Sequence, residues 1–215
     1  MEIKAKRRNQ PAKARSTYIA GMRLAVVFLF ASAVRPPLGR AQQAPVFAIT
    51  KVGSSIAFSV KASATLQGTF DKWNATLTFA SPDVTTGILE VKIRAASIDT
   101  GSGFKNSKLK SEDFFDVAQN PLITFRSTKI QQNGPDTFEV DGDFTIRGVT
   151  KPEKLTLAVS GKGTGSGEII GTMAFDRNDY GMNSSIPFIR IANRVEVTVD
   201  LKLKRVSGPP VVFKQ

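Results

Sequence analysis

Ser97–Gly101 reads SIDTG, Leu109–Asp116 reads LKSEDFFD, Asn120–Ile130 reads NPLITFRSTKI and Gly142–Pro152 reads GDFTIRGVTKP. The first piece closes an alternating segment in which Leu89, Val91 and Ile93 oppose Glu90, Lys92 and Arg94. Its Asp and Gly are turn formers. The second piece holds an acidic pair and two adjacent phenylalanines in a span too short for a long helix. It predicts one helical turn near 109–116 that wedges Phe114 or Phe115 under a sheet. The third returns as a strand. The fourth belongs to a strand with Phe138, Val140, Gly142, Phe144 and Ile146 on one face and Glu139, Asp141, Asp143, Thr145 and Arg147 on the other.

Working outward, the same period of two dominates, which marks strands with one buried face. Ile56, Phe58 and Val60 oppose Ser55, Ser59 and Lys61, and Ala75, Leu77 and Phe79 alternate with Thr76, Thr78 and Ala80. Leu155, Leu157 and Val159 follow, then Met173 and Phe175, and finally Val195, Val197, Val199, Leu201 and Leu203. Turn residues cluster at Ser81-Pro82-Asp83, Asn133–Asp136 and Gly161–Gly167. No segment carries a long helical period. About eight antiparallel strands result, several long enough to reach roughly 30 Å at about 3.4 Å per residue. Such strands suit a closed up-and-down β-barrel, which removes both sheet edges. A β-sandwich satisfies the same periodicity. The polar faces carry too many charges for an outer-membrane barrel.

Residues 1–41 are set apart from the fold. Seven basic residues precede Leu24 against a single Glu2, an apolar run spans Leu24–Val34, and Pro36-Pro37 leads to Gly39-Arg40-Ala41. These are the three parts of a secretory signal peptide, with cleavage expected after Ala41. The apolar run is too short to span a bilayer. This leader holds nine basic residues and one acidic one, so it carries +8 of the net +12 and leaves +4 on residues 42–215. Nucleic-acid binding thereby loses its main support. The expected organisation is a signal peptide over 1–41, one β-barrel domain over 42–206 and a tail over 207–215 that runs off the sheet.

The composition restricts the chemistry. Histidine and cysteine are both absent, which removes histidine acid–base catalysis, zinc-histidine sites, disulfides and thiol nucleophiles. Glu112-Asp113 with Asp116 could be posed as a glycosidase pair, but acidic residues after Ser111 are better read as the first turn of a short helix. Asp176 and Asp179 lack EF-hand spacing and read as a solvated loop with an Asp–Arg pair around Arg177. Gly161–Gly167 lacks the ending of a phosphate loop. No catalytic residue, metal site or cofactor is implied.

Binding is what remains. Thirteen of the 15 phenylalanines lie beyond the leader, many on the buried faces. They either fill an ordinary core or line a cavity that receives an apolar chain. The four quoted pieces, in their order and spacing, resemble the YceI-like family of secreted lipid-binding proteins, weakly extending from Phe47 to about Arg205. The resemblance implies an all-β, lipocalin-like barrel holding a long amphiphile: a polyisoprenoid, an isoprenoid quinone or a fatty-acyl derivative. The implied apolar lining is Phe58, Phe79, Val91, Ile93, Phe114, Phe115, Phe125, Phe138, Val140, Phe144, Ile146 and Phe175. The implied head-group contacts are Thr100, Lys105, Lys108, Arg147 and Thr150. Where the family has Arg-Asp-x-His-Leu this chain has Lys105-Asn106-Ser107-Lys108-Leu109, and Ala62 replaces a histidine common after the first strand. Any polar head is therefore met differently here.

The expected role is a periplasmic or secreted carrier of a long-chain lipid or isoprenoid, with no nucleic-acid partner and no stable membrane insertion once the leader is cut. A homodimer is left open. The contrasting reading is a β-sandwich interaction module with a solid core, binding through loops such as Tyr180–Pro187.

Overall fold

The computed structural model describes residues 43–63, 65–185 and 190–214, so the expected signal peptide lies outside the described residues. Ten strands form one antiparallel sheet: β1 (Val46–Ala62), β2 (Leu66–Phe70), β3 (Trp73–Phe79), β4 (Gly87–Arg94), β5 (Ile98–Asp99), β6 (Leu122–Gln132), β7 (Thr137–Ile146), β8 (Val149–Ser160), β9 (Ser166–Asp176) and β10 (Ile191–Ser207). Two pairs are halves of single bent strands. β2 and β3 are parted only by Asp71-Lys72, and β4 and β5 by a 3-10 turn over Ala95–Ser97. The circuit therefore counts eight strands.

β10 pairs with β1 from Val46↔Ser207 to Ala62↔Ile191, which closes the sheet on itself. A sandwich is thereby replaced by a barrel without free long edges. The inward faces are those that the alternation assigns: Val140 and Leu201 are completely buried, and Ile56 and Leu89 nearly so. The β7–β8 connection is a two-residue hairpin, Arg147-Gly148, with φ of 53° and 73°. Both residues are left-handed, the requirement of the type I′ turn that matches strand twist.

The helix is displaced from its expected place. α1 covers Gly103–Lys110, and residues 111–116 form turns. Ser102 is the N-cap, accepting from the Lys105 amide at 3.5 Å, and Lys108 and Lys110 suit the C-terminal dipole. Ser111 thus ends the helix instead of starting one, and the acidic residues follow it. The tail also departs from expectation. It turns back at Gly208, and Val212 bonds to Pro82 and Val84 main chain at 2.8 and 3.1 Å.

Candidate functional site

Among the described residues, two apolar chambers in the barrel interior share no lining residue. The helix-end chamber, about 70 Å³, is lined by Phe58, Phe70, Ile93, Leu109, Phe114, Phe115, Ile123, Phe144, Ile146, Phe175, Arg177 and Met182 among others. The tail-end chamber, about 110 Å³, is lined by Phe47, Leu77, Phe79, Leu89, Phe138, Leu157, Ile169, Leu203 and the tail's Val211 and Phe213 among others.

Between them lies a packed waist. Val91, Phe125, Val140, Leu155, Met173 and Leu201 face inward, are buried and line neither chamber. Val91 stands opposite Phe125, and Val140 opposite Leu155. Two inward glycines make this packing possible. A Cβ on Gly142 would lie 2.5 Å from Phe125 Cζ, and one on Gly171 would lie 2.6 Å from Val199 Cγ2. Of the lining residues expected from the sequence, Phe58, Ile93, Phe114, Phe115, Phe144, Ile146 and Phe175 fall in the helix-end chamber, and Phe79 and Phe138 in the other. Val91, Phe125 and Val140 build the waist. An eight-stranded barrel is just wide enough for side chains or one small ligand, and here the two solutions alternate along its axis.

The helix end is rich in aromatic contacts. Phe144, Phe175 and Tyr180 meet pairwise with centroids 5.1–5.5 Å apart, and Phe70 bridges Phe58 and Phe115 at 5.8 and 6.2 Å. Tyr180 is completely buried, and its hydroxyl donates to Glu153 Oε1 at 2.8 Å. Burial first, then the Glu153 carboxylate, pushes its phenol far above the ordinary value.

Polar groups lace the segments that roof this chamber. Arg147 donates to the carbonyls of Gly181 and, at 2.7 Å, Glu112. Asp113 pairs with Lys108 and accepts from Ser184 Oγ at 3.2 Å. Those two hydrogen bonds, Lys108 first, hold its carboxyl below the ordinary range. Asp116 accepts from Asn120 Nδ2 at 3.2 Å. Asp113 and Asp116 are thus both engaged in tying turns.

The expected head-group residues are not gathered at one point. Lys108 and Arg147 belong to the lacing around Asp113. Thr100 donates to Asn106 Oδ1 at 2.7 Å beside the helix N-cap. Lys105 lies half-buried on α1, and Thr150 is exposed on β8, sharing a hydrogen bond with Thr145 at 2.8 Å. Arg177 corrects the sequence reading: it is buried instead of solvated, and it pairs with neither neighbouring aspartate. Asp176 accepts from the Asn178 amide at 2.9 Å, and Asp179 pairs with Lys151 at 3.0 Å. The missed signal was register, since residue 177 continues the inward set Ile169, Gly171, Met173 and Phe175.

The chain matches the YceI-like domain over residues 47–203. It is similar to Protein YceI of Escherichia coli, 36% identical over 98 residues, covering 46% of this chain and 51% of that protein. It is also similar to a UPF0312 protein of Pseudomonas syringae pv. syringae, 31% identical over 127 residues, covering 57% of this chain and 66% of that one. The chain therefore spans about half to two thirds of the curated relatives it matches. Among solved structures it resembles Burkholderia cenocepacia BcnA, with a TM-score of 0.66, 22% identity and coverage of 72% and 99% of the two chains. It also resembles a polyisoprenoid binding domain from Saccharophagus degradans implicated in plant cell wall breakdown, with a TM-score of 0.58, 13% identity and coverage of 75% and 99%. These likenesses establish the shared fold.

Proposed function

This chain belongs to the YceI-like domain family, and from that premise we propose that it is an exported carrier of a long-chain amphiphile. It is a binding barrel and not an enzyme. The observation that carries the reading is the helix-end chamber. Its walls are apolar side chains of the barrel, while its roof is α1 and the turns over 111–116, which lie outside the sheet ladder. Those elements can shift without breaking a strand pair. The ligand classes are a polyisoprenoid, an isoprenoid quinone or a fatty-acyl derivative, a choice supported by the description of the Saccharophagus relative as polyisoprenoid binding.

Neither chamber is large. At about 70 Å³ and 110 Å³ both fall below the roughly 150 Å³ of an engineered apolar cavity that takes up benzene. A long chain enters by parting waist side chains such as Met173 and Phe125. At about 0.8 kcal/mol per buried CH₂, ten methylenes offset a substantial rearrangement. The composition of the leader supports export to the periplasm or medium, with cleavage after Ala41.

Thermal unfolding with each ligand class tests this reading. A ligand at a hundred times its Kd stabilises the fold by about 2.7 kcal/mol, an upward shift in Tm of roughly 5–10 °C for a domain of this size. If members of all three classes leave Tm unmoved, the carrier reading fails.

A further inference from the structure

Arg177 is the only charged side chain that is buried among the described residues, at 9% exposed. It lines the helix-end chamber at a position where the alternation of β9 places a core residue. Its Nε donates to the Ala192 carbonyl at 3.3 Å, and its Nη1 donates to the carbonyls of Ser184, at 2.9 Å, and Met182. All three acceptors are neutral. A guanidinium has five N–H donors; no hydrogen bond from the two on Nη2 is found among the described residues, and Nη2 is not one of the atoms both sealed from solvent and left without a partner. No carboxylate among those residues forms an ion pair with it either; the neighbouring aspartates are engaged elsewhere. Burying a charge without a counter-ion costs several kcal/mol. Three carbonyl bonds account for a tie between the 182–184 segment and β10, but they leave the positive charge unneutralised.

We propose that Arg177 is the counter-ion for an oxyanion, a carboxylate or a phosphate monoester, at the head of an apolar chain bound in the helix-end chamber. This rests on the carrier reading above and narrows its ligand to an acidic amphiphile. An oxyanion supplies the charge that the described residues do not, and the planar fork of the guanidinium suits it better than an ammonium would. The apolar walls formed by Phe144, Phe175, Ile146 and Met182 then meet the first methylenes. Two of the three cationic residues expected from the sequence are already committed at the rim: Lys108 is paired with Asp113, and Arg147 is bound to two carbonyls. The third, Lys105, lies half-buried on α1 outside the lining of this chamber.

Calorimetric titration of the purified protein with two matched pairs tests this: dodecanoate against dodecanol, and farnesyl phosphate against farnesol. At least one acid is expected to bind at least tenfold more tightly than its alcohol, equivalent to about 1.4 kcal/mol, and which pair shows it identifies the head group. The ratio is expected to survive about 1 M salt, where attraction to surface lysines is screened away but a buried pair is not. Arg177→Gln should bring the ratio to about one, and Arg177→Lys should recover part of it. A ratio near one in the native protein, a ratio lost in salt, or a ratio unchanged in a folded Arg177→Gln protein each overturns the assignment while leaving the carrier reading intact. If neither acids nor alcohols bind, this assignment falls, and the carrier reading is decided separately by the thermal-unfolding test with all three ligand classes. Should Arg177→Gln not fold, the salt series on the native protein decides.

Discussion

The two ends of this barrel are closed by different means. At the helix end, α1 and the 111–116 turns cover the chamber, tied down by Arg147 and Asp113, and the buried Arg177 holds the 182–184 segment to which Asp113 bonds, all within the residues that match the family. At the other end the tail folds across the mouth, beyond that match. Its Val212 bridges to Asp83, Lys214 exchanges two hydrogen bonds with Gln132 at 2.7 and 2.8 Å, and Phe213 sits edge-on to Phe138 at 6.0 Å. Lys162 lies over the Phe213 ring at 4.9 Å. One closure is woven through three separate turns of the barrel; the other is a stopper on a single strand of chain. An apolar chamber alone therefore does not identify a site. The tail-end chamber is the larger, yet among the described residues only the helix end has a buried charged side chain, Arg177, in its lining.

Substitutions should reproduce this asymmetry. Phe144→Ala removes a ring packed against Phe175 and Tyr180 and is expected to cost about 3–5 kcal/mol in denaturant unfolding. Gly142→Ala forces a methyl against Phe125 and the Arg126 carbonyl and should cost about 1–3 kcal/mol, with Phe125→Leu recovering part of it. Phe213→Ala, at the half-exposed stopper, should cost about 1 kcal/mol and leave amphiphile binding unchanged. A cost at Phe213 equal to that at Phe144 would erase the distinction between the ends.

The smallest effects are set by pH. Tyr180 has its phenol pKa raised by burial, so its contribution is complete below the unfolded value near 10 and is lost as pH rises beyond it. Tyr180→Phe loses one buried hydrogen bond, about 1 kcal/mol at neutral pH, and flattens the alkaline slope of the unfolding curve. Asp113 behaves in the opposite sense. Its pKa is depressed, so the lacing is present above the ordinary carboxylate value and loosens as pH falls through the folded one. Amide exchange over 111–116 should quicken at acid pH before that of β7, and Asp113→Asn should abolish the difference.

Much of the barrel could be read from the chain because one-faced strands record their burial in every second residue. β7 and β10 show it without interruption, and the inward sets there are those observed. Closure could not be read, since β1 and β10 pair across nearly the whole chain. The waist was hidden for a related reason: Gly142 makes room for a ring on β6, a complementarity between strands that no single strand displays. α1 lacks an apolar period, and its cap depends on Ser102 with support from Asn106, so the acidic LKSEDFFD segment drew the helix too far along. Arg177 was misjudged because charge suggested solvent while register pointed inward. The tail was misjudged because Gly208-Pro209-Pro210 suggests an ending, whereas here it is the bend that brings Val211 and Phe213 back.

Native mass spectrometry of the purified protein over residues 42–215, with organic extraction of anything bound, decides whether the barrel carries a ligand. The expected result is one discrete apolar species at near one-to-one ratio, with an acidic head. A clean protein mass that stays unchanged after incubation with fatty acids, isoprenoid phosphates and isoprenoid quinones would contradict it.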